Sequence, residues 1–180
     1  MYSLIKHPEL MKPFFLSIHF EIQSTLKSLR EVFVSHAFKT ASILYVHFKK
    51  GIEWNVNTRE LLSYPKESLG FHYASFLVAH HLNPQPKCED HDIFHVLTGF
   101  KTETSEEIAM QYWLYGNGKR SPFVNLAMLA GAILYFDKHK LFKESFINGK
   151  SSMPMHHLDF KQHLSSPLSL FKTTLITINS

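Results

Sequence analysis

Two histidines and an aspartate stand within five residues, His91-Asp92-Ile93-Phe94-His95, and a glutamate, Glu107, follows twelve residues after the second histidine. On a helix advancing about 100° per residue, the three polar side chains of this run point to roughly 0°, 100° and 40°. They share one face, and Ile93 and Phe94 are left for packing. Two imidazoles and a carboxylate directed toward one point follow the spacing logic of metal-binding H-E-x-x-H helices. Glu107 can join them if the chain turns back after Gly99. With one or two carboxylates beside two imidazoles, the donor set suits one divalent ion of Zn, Co, Fe or Mn, and residue types do not choose among these. Each residue also has a structural use. Thr104-x-x-Glu107 has the form of a capping box, and Asp92 in a first helical turn would favour the positive end of the helix dipole. Four such residues at this spacing favour a metal site comprising His91, Asp92, His95 and Glu107.

The elements that must position these residues read as helices. No stretch alternates apolar and polar residues over a convincing length, and no internal repeat is visible. Helical periodicity predicts one or two helices over residues 16–48 and another over 68–82, stopped by Asn83-Pro84. The metal-binding segment spans residues 86–99, with Gly99 as its C-terminal stop, and Thr104 starts the next helix, over 105–115. Gly116-Asn117-Gly118 ends it. Ser121-Pro122 opens an apolar helix reaching about His139, and shorter helices are expected over 141–147 and 168–175. The expected fold is all-α, a single-domain helical bundle over residues 1–180 with the metal site on a helical hairpin.

Composition agrees with a folded domain. The 180 residues are 44% hydrophobic and 19% charged, which excludes a disordered or fibrous chain. A single cysteine, Cys88, excludes an internal disulfide and suits a reducing compartment, so a cytoplasmic location is expected. Cys88 itself reads as a packing residue. No signal peptide is legible, because charges and prolines interrupt the apolar stretches of the first twenty residues. The apolar run over residues 123–136 is shorter than the roughly 20 residues needed to cross a bilayer. The formal charge is +4, with lysines and arginines scattered singly or in pairs. A solvated surface explains this first, attraction to anionic lipid headgroups second, and nucleic-acid binding last. His80, His81, His156, His157 and His163 read as surface residues. Ala127, Ala130, Gly131 and Ala132 predict close helix packing, or else the wall of an apolar groove with Phe71, Phe76 and Trp113 as neighbours.

The run H-D-I-F-H, eleven residues, then E, with T-G-F-K-T at residues 98–102, resembles the Coq-four family of ubiquinone (coenzyme Q) biosynthesis, which is marked by H-D-x-x-H, eleven residues and E. Y-P-K-E-S-L-G-F-H-Y-A-S-F-L at residues 64–77 is similar to the family's segment before the motif, and P-L-S-L-F-K at 167–172 to its C-terminal end. The likeness is best over residues 64–115. Only six residues separate Pro84 from His91, where the family has a further helix. The resemblance implies a metal ion, Zn first, held by His91, Asp92, His95 and Glu107 in a catalytic role. It also implies an apolar channel for a prenylated quinone precursor or other long lipid. Oxidative decarboxylation of that precursor is the implied activity, with a non-catalytic lipid-binding scaffold as the alternative. A metal-dependent hydrolase using Asp92 as general base is a third reading. Other quinone-biosynthesis proteins and the inner face of a membrane, touched peripherally, are the implied partners.

Overall fold

A computed structural model describes residues 8–48 and 53–176. The chain forms two compact units, Met1–Lys39 and Thr40–Ser180. Helix α1, Pro8–Phe48, starts in the first and is one continuous helix where one or two were expected. Among the described residues seven more α-helices follow: α2 Thr58–Leu62, α3 Leu69–Ala79, α4 Glu89–Thr98, α5 Thr104–Gly116, α6 Pro122–Leu134, α7 His139–Ser151 and α8 Leu168–Ile176. The described residues contain no strand, so the all-α expectation holds.

Local chemistry sets most of the boundaries. Asn57 Oδ1 accepts the Glu60 N–H at 2.9 Å, capping α2, which periodicity had not suggested. Ser68 and Ser121 cap α3 and α6 in the same way, and Pro122 occupies the first turn of α6. Helix α3 ends at Ala79, three residues before the expected stop. His81 there takes a left-handed φ of 54°, and the Leu82 N–H returns to Leu77 O at 2.8 Å. Gly99 closes α4 with a φ of 77°, as its position predicts. Helix α6 stops at Leu134 rather than near His139. A 3-10 turn, Phe136–Lys138, breaks the apolar run, and α7 begins at His139.

The core lies within residues 40–180. Leu61, Tyr73, Leu77, Ile93, Phe94 and Leu114 form its centre, and Phe160, Leu168 and Phe171 close it from the C-terminal side. Helices α5 and α7 cross with backbones in contact, because Gly149 leaves no side chain against Trp113. A Cβ there would lie 2.0 Å from Trp113 O. Ala127 and Gly131 turn α6 onto α5, and a Cβ at 131 would meet Ile108 Cγ2 at 2.5 Å. Ala127 and Gly131 therefore serve close packing, whereas Ala130 is half-buried and Ala132 exposed.

The start of α3 is fixed by a distant part of the chain. Leu69 and Gly70 donate their N–H groups to Ser166 O and Leu164 O at 2.9 and 2.8 Å, and Leu168 N–H returns to Glu67 O at 2.8 Å. These are donors that a helix N-terminus leaves without intrahelical partners. The segments 64–77 and 167–172, separated in sequence by about ninety residues, are thus joined. Helix α3 then carries Tyr73 and Phe76 to α4.

Candidate metal centre

Helix α4 buries Ile93, Phe94 and Leu97 in the core, and the same turn of phase leaves His91, Asp92 and His95 on its other flank. Gly99 reverses the chain, and α5 returns with Glu107 opposite the histidines. His95 Nε2 lies 3.0 Å from Glu107 Oε1, and His91 Nε2 lies 3.2 Å from Glu107 Oε2. The ligand atoms of His91, His95 and Glu107 all fall within 4.8 Å of one another. The structure brings these three together.

Asp92 is not brought into that cluster. Its Oδ2 accepts the Tyr73 hydroxyl at 3.1 Å, and its Oδ1 lies 3.6 Å from His91 Nδ1, on the far side of the imidazole from Glu107. A carboxylate in that place holds a ligating ring by its other nitrogen. His95 is oriented by the backbone instead: its Nδ1 is 2.8 Å from Phe100 O. A carbonyl only accepts, so Nδ1 carries a proton, and in the neutral ring Nε2 is left with the lone pair that a metal requires. Phe76 stacks on the His95 ring, with centroids 5.3 Å apart and planes 12° from parallel.

The electrostatics follow from this geometry. Burial would lower the pKa of His91, but hydrogen bonds and charge from Asp92 and Glu107 override it and carry the imidazole up to about 9. Burial likewise would raise Glu107, and the two histidines bring it down to about 2. Tyr73 is pushed well above the ordinary phenol range by burial and by Asp92, so it remains a donor to that carboxylate. Glu107 Oε2 is buried and faces His91 Nε2. Two Nε2 atoms and a carboxylate converging in this way fit one divalent ion of the Zn, Co, Fe or Mn type.

The capping reading of Glu107 does not describe the structure. Helix α5 takes Glu103 as its N-cap, with no side-chain cap, and Glu107 N–H bonds Glu103 O at 2.9 Å. Thr104 is therefore the first helical residue, and Glu107 is one position too late to close a box with the cap. Its side chain faces the histidines.

Several residues that support the site carried no local signal. Glu89 is buried in the first turn of α4, and its Oε1 accepts the Trp54 N–H at 3.0 Å. Trp54 in turn lies edge-on to Tyr73. Tyr73, Glu89 and the Phe100 carbonyl become visible only when distant segments meet. Of the expected groove neighbours, Phe76 covers His95, Trp113 packs against Phe94, and Phe71 lies beside His72. A groove of about 520 Å³ does border α6, but it is lined by Tyr112, Met128, Ala132, Phe136, Phe142 and Lys143 among others. Outside the site, His80 and His157 are exposed, and the His156 Nδ1 bonds Asn117 O at 2.7 Å in a structural role. Cys88 occupies the N-cap position of α4 without a side-chain cap bond.

No protein-family profile matches the chain. No curated protein matches it either. Among solved structures, it is similar to the crystal structure of a candidate ubiquinone biosynthesis protein from Nostoc punctiforme, with a TM-score of 0.55 and 16% identity over 98% of this chain and 97% of the other. At that identity the likeness shows a shared fold, extending over nearly the full length of both chains.

Proposed function

We propose that this chain acts in ubiquinone biosynthesis as a metal-dependent enzyme that replaces the carboxyl group of a prenylated 4-hydroxybenzoate-type precursor by oxygen, the acid and dioxygen giving quinone, CO2 and water. The observation that carries the reading is the convergence of His91 Nε2, His95 Nε2 and the Glu107 carboxylate on one point of a part-buried helical hairpin. The H-D-I-F-H and Glu107 pattern and the fold shared with the Nostoc protein support the pathway. When bound, a divalent ion supplies a positive point that orients a substrate carboxylate and stabilises the negative charge that develops as CO2 leaves.

The residues around that point have separate tasks. His91, His95 and Glu107 would hold the ion, and the charge of Glu107 offsets half of a divalent cation. Asp92 and the Phe100 carbonyl fix the two rings from behind, and Tyr73 holds Asp92 in place. Phe76 shields one face of His95 from water. Hydrolysis is less well served, because the carboxylate that would have to act as general base, Asp92, is engaged by Tyr73.

The test is direct. Metal-loaded protein given a prenylated hydroxybenzoate-type acid and dioxygen should release CO2, and His95→Ala should not. A folded, metal-loaded wild type that binds the acid and releases none would replace the enzyme by a lipid-binding scaffold.

A further inference from the structure

Helix α5 carries a second polar side chain into the protein interior. Gln111 is 1% exposed, and its helix neighbours Ile108, Ala109, Met110 and Leu114 are fully buried. Its amide Nε2 is buried without a hydrogen-bond partner. An amide nitrogen shut away from water gives up the bonds it made there, so inside a folded chain it is ordinarily paired. Glu107, four residues earlier, stands one turn away and would be the local acceptor for such a side chain. Its oxygens are turned instead to His95 and His91, at 3.0 and 3.2 Å.

The place of Gln111 on the helix indicates what the donor serves. Four residues at about 100° each put it within roughly 40° of Glu107 around the axis of α5 and about 6 Å further along it. Long side chains on a helix lean toward its N-terminus, which brings that of Gln111 back over the turn that carries Glu107. On one side of it Met110 and Leu114 enter the core. On the other Ile108 meets α6 at Gly131. Gln111 thus occupies the strip between the Glu107 face and α6, where an apolar residue would have packed without loss. A carboxylate brought to an ion held by His91, His95 and Glu107 has two oxygens, and the ion takes one. The other, shielded from water, needs an N–H donor.

We propose that Gln111 recognises the substrate as an acid, its Nε2 donating a hydrogen bond to the carboxylate oxygen that the metal leaves free. This rests on the reading of His91, His95 and Glu107 as metal ligands. The donor has a partner only while the carboxyl group is present, so the site favours the acid over its decarboxylated product.

Calorimetric titration of the Zn-loaded full chain under nitrogen tests this without turnover. The ligands are 3-prenyl-4-hydroxybenzoate and 2-prenylphenol, which lacks only the carboxyl group. Gln111→Met keeps the approximate volume of the side chain and removes the donor. It should weaken binding of the acid roughly ten- to a hundredfold, the range for a hydrogen bond to a charged group, and leave binding of 2-prenylphenol and of Zn unchanged. If that variant fails to fold, the side-chain amide resonances of Gln111 in isotope-labelled wild type decide: they should shift with the acid and stay in place with the phenol. Unaltered affinity of Gln111→Met for the acid, an equal loss for both ligands, as removal of a packing residue or of a water anchor would give, or resonances that ignore the acid would each overturn the proposal. Acid that binds through Gln111 and is never converted would overturn the enzymatic reading alone. A wild type that holds no Zn, or binds no acid, would overturn both.

Discussion

Because His91 is held up to about 9, a metal bound there as proposed would compete with a proton for the same nitrogen across the physiological range. Below that pH the metal-free imidazole is charged and paired with Asp92 and Glu107, whereas a ligating imidazole must be neutral. Glu107, held down to about 2, is already ionised and gives up no proton. At pH 7 the deficit at His91 is about two units, so apparent affinity should be about a hundredfold weaker than above pH 9, a difference of about 2.7 kcal/mol. Affinity should fall tenfold for each further unit of acid. Calorimetric titration of chelator-treated protein with Zn or Co, in buffers of different ionisation heat, counts the protons directly. About one proton per ion should leave His91 at pH 7.5, and this contribution should vanish above pH 9. Asp92→Asn should reduce both the count and the pH slope. Metal-free stability provides the same test with the opposite sign. The folded pKa of His91 exceeds its ordinary 6.5, so its contribution is complete below 6.5 and lost as pH rises through 9. Glu107 lies below its ordinary 4.5, and its contribution is present above that value and lost as pH falls through 2. The chelated protein should therefore be most stable between pH 4.5 and 6.5. No proton release at pH 7.5 together with an affinity flat from pH 7 to 9 would show that His91 is neutral and the reasoning wrong.

Two further outcomes are expected. Glu107→Gln keeps the shape of the side chain but gives a poor metal donor, so the stability gained on adding metal should shrink from about 2.7 kcal/mol, the value for a wild type at a hundred times its dissociation constant. Thermal melts with EDTA and with titrated metal measure this, and an unchanged gain would remove Glu107 from the site. Gly149→Ala places a Cβ 2.0 Å from Trp113 O, so α7 must move off α5. Urea unfolding should register a loss of roughly 1 to 3 kcal/mol, and a neutral result would mean that the two helices are not in backbone contact.

The hairpin was legible because everything that defines it is local. The spacing of His91, Asp92 and His95, the left-handed Gly99 and the helix restarting at Thr104 all fall within a short stretch of chain. Where local patterns misled, a neighbouring residue took the expected role. Glu103 provides the N-cap in place of Thr104, and the turn at Tyr135 divides an apolar run that periodicity treats as one helix. Asp92 shows a different limit. Its place in the motif marks it as a ligand, yet Tyr73, nineteen residues away, holds its carboxylate on the other side of His91. Neither that bond nor the grip of Glu89 on Trp54, across thirty-five residues, leaves a periodic trace. Pairing of the α3 start with the segment before α8 is also tertiary, although likeness to a family had singled out both segments without saying that they touch.

The position of the hairpin in the chain bears on what an ion there could do for folding. A metal joining His91 to Glu107 is a cross-link across a loop of about sixteen residues. Closing a loop of that size would take about 3 kcal/mol of freedom from the unfolded chain if the bond were permanent. The helices so joined are already neighbours through a five-residue connection, Gly99 to Glu103. The distant closures, Leu69 on Ser166 and Phe94 on Phe160, span far more chain than the cross-link removes and gain little from it. Apolar contact must bring those ends of the chain together whether or not the ion is present. A chelator should therefore strip the site and leave the domain standing, with the ion behaving as a removable tenant of a finished fold.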